Sequence, residues 1–180
     1  MVYSAIPTMR KWRHASLPPT LTDDQITLLL ATCSDNQSAN LRDRAIILLL
    51  ARLGVRAGEV ASLSLDDIDW REGRLLIPPG KTHRERVLPL LPEVGKALVD
   101  YLRGGRPSST SRKIFLGTRP PFRPFQDSSP ISHLVRRRLS QAGVSANARY
   151  AAHLFRHYAA SRTMPRVDAN AAIHRGVNDG

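Results

Sequence analysis

The run from Leu41 to Leu53 constrains the fold of this chain more than any other stretch. It is the most apolar segment, and Ala45 to Ala51 is nearly unbroken aliphatic sequence. Its length and its good helix formers argue for a helix rather than a strand. A helix apolar on all sides has to be buried. Gly54 follows as its C-terminal cap. No apolar run approaches the ~18 residues that a membrane-spanning helix needs, so other elements must cover this one.

The remaining sequence supplies those elements. Residues 1–20 are mixed in character, and Pro18-Pro19 closes them as a tail or linker. Thr22 and Gln25 have the spacing of a capping box, and Leu21 with Ile26 that of a hydrophobic staple. They predict a first helix ending near Cys33. Ser34 to Asn40 reads as a polar loop. A short helix through Glu59, Val60 and Leu63 follows Arg56, and Leu65 to Trp70 reads as a turn. Arg74–Ile77 and 84–90 predict two strands joined through Pro78 to His83. Pro92 opens a helix carrying Val94, Ala97, Leu98 and Leu102. Ile114-Phe115-Leu116 is a brief apolar piece. Pro130 opens a helix carrying Leu134, Val135 and Leu139, with Arg136-Arg137-Arg138 along it. A last helix stops before Pro165. The fold class is α+β: mainly helical, with a small antiparallel sheet.

Charge points to the partner. Twenty-seven Lys and Arg against fifteen Asp and Glu give a formal net charge of +12 over 180 residues. Such an excess implies a polyanionic partner, most often nucleic acid and less often a membrane surface. A hydrophobic share of 42% suffices for one real core. The single Cys33 excludes an intrachain disulfide and suits a reducing cytosol. Residues 1–16 hold no apolar signal core, so the chain reads as cytoplasmic.

Candidate chemistry concentrates in His153-Leu154-Phe155-Arg156-His157-Tyr158. His153 and Arg156 share one helix face. A fixed cation beside a titratable base suits the handling of a phosphate, although a solvated basic face has the same pattern. Gly80-Lys81-Thr82 resembles the end of a P-loop, but Leu75 stands where that loop needs glycine. His153 and His157 have the spacing of zinc ligands, but Leu154 replaces the metalloprotease Glu and no cysteine cluster adds ligands. No serine sits in a Gly-x-Ser-x-Gly elbow. Arg56 can pair with Glu59 one turn on. Arg137 fits either a DNA-facing patch or a solvated helix face.

Three stretches, in order and at fitting separations, resemble the catalytic domain of the tyrosine recombinases, the phage-integrase family. They are Leu53-Gly54-Val55-Arg56-Ala57-Gly58-Glu59-Val60, then Gly80-Lys81-Thr82-His83-Arg84-Glu85-Arg86-Val87-Leu88-Pro89-Leu90, then His153-Leu154-Phe155-Arg156-His157. The resemblance covers about Leu17 to Ser161. It implies a tyrosine-recombinase catalytic-domain-like fold over 21–162. It also implies DNA strand breakage and rejoining through a 3′-phosphotyrosyl intermediate, with no metal and no cofactor. Arg56 and Arg156 would clamp the non-bridging phosphate oxygens. Lys81 would protonate the leaving 5′-oxygen, His153 would assist proton transfer at the nucleophile, and Glu59 would support the pocket. The full-length partner state would be a homo-oligomer on DNA.

The pattern breaks toward the end. The family continues to a Leu-Gly-His box and a nucleophilic tyrosine, and neither occurs after Arg156; Tyr158 lies two positions on, turned away from it. Tyr158 therefore reads as packing, and neither Tyr150 nor Tyr101 has a better claim to the reaction. The expectation is a truncated or frameshifted catalytic domain, inactive as this chain. Residues 1–20 would be the linker from a missing N-terminal DNA-binding domain, and 163–180 a divergent, poorly ordered tail. A non-catalytic DNA-binding module and an inert mobile-element remnant are the alternatives.

Overall fold

The computed structural model describes residues 20–79, 85–145 and 151–163. Its elements run α1 (Asp23–Ala31), α2 (Ser38–Leu53), α3 (Ala57–Ser62), β1 (Ile68–Asp69), β2 (Arg74–Ile77), β3 (Arg86–Pro89), α4 (Pro92–Asp100), α5 (Ser129–Gln141) and α6 (Ala151–Thr163). The expected tail at 1–20 and the Lys81 connection lie outside the described residues, save Thr20, Pro78 and Pro79. So does the divergent tail, apart from Thr163, which ends α6.

Helix α2 is the axis of the molecule. Ala45 to Ala51 are all 0–1% exposed. Burying each Ile or Leu contributes about 1.5–3 kcal/mol, and five lie in succession from Ile46 to Leu50. The other helices and the buried strand residues Leu75 and Ile77 join α2 in one core, together with Ile114 and Phe115. Gly54 ends α2 in the left-handed conformation at φ +62°, where glycine carries no Cβ penalty. The expected polar loop at Ser34–Asn40 is shorter than predicted, because α2 begins at Ser38. Helix α1 has the capping box read from Thr22 and Gln25 and ends at Ala31, before Cys33.

The sheet has three antiparallel strands in the order β1-β2-β3. Leu75 pairs with Leu88, and Ile77 with Arg86. The turn expected at Leu65–Trp70 is a single 3-10 turn over Leu65–Asp67, and the next two residues form β1. Two residues are too few to show alternation.

The largest departure from the sequence reading is at Arg136-Arg137-Arg138. Arg138 points inward, its side chain 5% exposed, and meets the fully buried Asp43 of α2. Its Nε and Nη2 lie 2.9 and 2.6 Å from Asp43 Oδ2. Arg42 Nη2 reaches Asp43 Oδ1 at 2.8 Å, and Arg137 also donates to Asp43. Arg137, about half exposed, is thus neither a free DNA-facing arginine nor a merely solvated one. A buried carboxylate needs such partners, since an unpaired charge in a core is strongly unfavourable.

Candidate phosphate-binding site

The site begins where α2 stops. Gly54 reverses the chain, and Val55 is fully buried beyond it. Arg56 then caps α3 in an extended conformation. Three positions on, Glu59 turns back. Its Oε2 accepts the Arg56 backbone N–H at 2.8 Å, and its Oε1 accepts Arg56 Nη1 at 2.9 Å. Glu59 thereby satisfies a donor that no turn of helix precedes. It also fixes a guanidinium that stays about half exposed. The Gly-Val-Arg-x-x-Glu spacing is a local device for presenting an arginine at a helix start.

Two distant elements converge on that device. Arg86, from β3, places Nη2 at 2.7 Å from Glu59 Oε2. Arg156, from α6, donates through Nη1 to the Gly54 carbonyl at 3.5 Å. Burial lowers the pKa of Arg156, the positive charges of Arg56 and then Arg86 lower it further, and Glu59 opposes them. Arg156 therefore lies within electrostatic reach of both other arginines, and it remains protonated throughout the physiological range. Burial alone would raise the carboxyl pKa of Glu59. The Arg56 backbone N–H and guanidinium and the charge of Arg86 outweigh it and hold Glu59 below its ordinary range. Arg56 and Arg86 bond the Glu59 carboxylate, while Arg156 bonds the Gly54 carbonyl two residues before Arg56. Three guanidiniums and one carboxylate thus leave an excess of two positive charges, an arrangement suited to a phosphodiester.

Of the residues singled out from sequence, Arg56, Glu59 and Arg156 come together here. His153 is exposed on α6, one turn before Arg156. Lys81 lies outside the described residues. His157 is exposed on the same helix. Tyr158 is 3% exposed. Its hydroxyl donates to Asp23 and accepts from Arg52 Nη1 at 3.1 Å and Arg162 Nη1 at 3.3 Å. Burial, and then the Asp23 hydrogen bond, push the phenol pKa up, the opposite of what activates a nucleophile. Tyr101 is also buried and accepts the Leu116 N–H at 3.3 Å. Sequence reasoning missed Arg86, although it stood inside a quoted motif. Its partner is 27 positions away, beyond any local spacing rule.

Among the described residues, no group of three or more His, Cys, Asp and Glu could hold a metal ion. None of their helices is long and apolar enough to cross a membrane. A cavity of about 330 Å³ opens between the start of α2 and the segments around Arg106 and Thr118. It lies apart from the arginine cluster.

The model of the phage integrase family matches residues 19–170. The chain belongs to the phage integrase family. Among the family's members, the chain is 41% identical over 178 residues to y4rF of Sinorhizobium fredii, named as an integrase/recombinase, covering 96% of this chain and 42% of that protein. With y4gC of the same organism, named likewise, identity is 40% over 149 residues, covering 82% and 76%. The tyrosine recombinase XerD of Xanthomonas campestris is 32% identical over 173 residues, covering 88% and 53%. The crystal structure of XerA recombinase superposes with a TM-score of 0.69 at 26% identity, covering 85% of this chain and 51% of that one. XerH, in a post-cleavage complex with its difH substrate, has the same fold at a TM-score of 0.63 and 20% identity, covering 81% and 42%. The chain thus spans about half the length of most of these integrase-family proteins.

Proposed function

We propose that this chain forms the phosphate-binding core of a site-specific tyrosine recombinase catalytic domain, spanning about 21–162. It engages double-stranded DNA, within a homo-oligomer in the full-length state. The observation that carries the reading is the pairing of Arg56 and Arg86 with Glu59, together with the bond of Arg156 to the Gly54 carbonyl two residues before Arg56. Arg56 and Arg156 grip the non-bridging oxygens of the scissile phosphate, whose charge grows as the fifth bond forms. Lys81 protonates the leaving 5′-oxygen, and His153 moves a proton at the attacking tyrosine. The product of the attack is a 3′-phosphotyrosyl link, and a 5′-hydroxyl on another strand reverses it to rejoin DNA. Because the Tyr158 hydroxyl is held by Asp23, Arg52 and Arg162, the 180-residue chain binds DNA without becoming covalently attached.

Two measurements test this. Duplex binding by the chain falls steeply with salt, as phosphate neutralisation requires, and no binding at low salt would leave an inert remnant. A nicked suicide duplex yields no covalent adduct with the chain. An adduct that disappears in Tyr158→Phe would show that Tyr158 is the nucleophile after all.

A further inference from the structure

We propose that Arg86 is a positioning residue for the arginine pocket, holding the Glu59 carboxylate so that Arg56 presents an open guanidinium edge to phosphate. The proposal rests on the reading above, in which Arg56 and Arg156 bind that phosphate.

Glu59 is an acceptor with two oxygens and three donors. Oε1 takes Arg56 Nη1, while Oε2 takes both the Arg56 backbone N–H and Arg86 Nη2. The carboxylate is thereby held across two elements, with its side chain only 11% exposed. It grips the Arg56 guanidinium through a single nitrogen. A carboxylate and a guanidinium left to themselves favour the paired, two-bond arrangement. Arg86 opposes that rotation by holding Oε2 toward β3. Without it, the Arg56 backbone N–H alone holds Oε2, and Glu59 can turn to take a second Arg56 nitrogen and occupy donors that a phosphate would use. Arg86 also cancels part of the Glu59 charge that Arg56 and Arg156 would otherwise face alone.

The contact has a second consequence. Arg86 is the first residue of β3, the strand into which the segment bearing Lys81 leads. Glu59 belongs to α3, whose first turn presents Arg56. The Arg86–Glu59 pair therefore ties the start of β3 to the helix that presents Arg56. A sheet anchor with no role in the pocket would leave Arg56 undisturbed. A positioning residue would not.

The test uses the full chain, with inorganic phosphate as the probe and the Arg56 Nε–H NMR signal as the local reporter, assigned through Arg56→Lys. Phosphate should shift this signal in the wild type. Arg86→Gln should move it before any phosphate is added and weaken phosphate binding by about tenfold, the usual scale for a charge-assisted contact. Arg86→Lys keeps the charge but loses the planar fork, so it should recover only part of that loss. Because Arg86 acts through Glu59, Glu59→Gln combined with Arg86→Gln should bind no more weakly than Glu59→Gln alone. Wild-type phosphate affinity in Arg86→Gln, or losses that add in the double variant, would overturn the positioning role. Should Arg86→Gln lose its far-UV circular dichroism signal, Arg86→Lys carries the test, and wild-type affinity there would overturn the proposal equally. Arg156→Ala separates the two levels: unchanged phosphate binding in that variant would remove the pocket itself and the Arg86 role with it.

Discussion

Arg156 donates a long hydrogen bond to the carbonyl of Gly54, 102 positions earlier. This joins the two arginine-bearing motifs at the one residue that ends the central helix. Gly54 is left-handed at φ +62°, and a Cβ there would stand 3.1 Å from the Cβ of Ala159 on α6. One glycine thus stops α2, lets α6 approach and offers Arg156 its acceptor.

Gly54→Ala should therefore destabilise the chain by about 1–2 kcal/mol, mostly through the left-handed backbone. It should also weaken duplex binding, because α6 must shift. Urea unfolding and a binding titration on the same preparation measure both. A stability loss with wild-type DNA affinity would show that Arg156 does not depend on this junction.

Arg56→Ala and Arg156→Ala should each lower duplex affinity and each reduce the slope of log K against log salt by about one. Lysine at either position should restore the slope more fully than the affinity, since it keeps the charge and loses the fork. Slopes equal to wild type in both alanine variants would mean that neither arginine meets a phosphate.

Asp43→Asn should be the most damaging of the single changes considered. It would leave Arg138 and Arg42 buried without their anion, a situation that costs about 3–5 kcal/mol. Thermal unfolding should move down by on the order of 10 °C for a chain of this size. A shift within a degree or two would show that the buried cluster contributes little.

Tyr158→Phe removes a hydroxyl shared by Asp23, Arg52 and Arg162. The expected loss is about 1 kcal/mol of stability, with duplex affinity unchanged. Reduced DNA binding without reduced stability would place the phenol in the DNA contact instead.

The pH dependence follows from Glu59, whose pKa lies below its ordinary 4.5. A depressed carboxyl pKa adds stability that is fully present above that ordinary value and is lost as pH falls through the folded one. The stability difference between wild type and Glu59→Gln should therefore be constant near neutrality and shrink on acidification below about pH 4.5. A difference independent of pH down to about 3 would contradict the ion pairing.

Much of this was legible without coordinates, for local reasons. The α2 run, its Gly54 cap, the Thr22–Gln25 box, β2 and the Arg56–Glu59 spacing all depend on residues within one turn or one pleat. The inward turn of Arg138 was not legible. Three consecutive arginines on a helix point in three directions, and only the position of Asp43 on another helix shows which one is buried. β1 was missed because two residues carry no periodicity.

The amino-acid order alone thus determined most of the helices and the strands β2 and β3, where α2 stops, and that Arg56 can pair with Glu59. The expectation of a polyanionic partner likewise came from net charge, which needs no geometry. Only tertiary structure decided that Arg86 joins this pair, that Arg156 reaches Gly54, and that the Tyr158 hydroxyl is enclosed by Asp23, Arg52 and Arg162. Apart from the Tyr158–Arg162 contact, one helical turn long, these link residues between 27 and 135 positions apart. Spacing rules reach about one helical turn, whereas these contacts form only because burial of α2 forces distant elements against it.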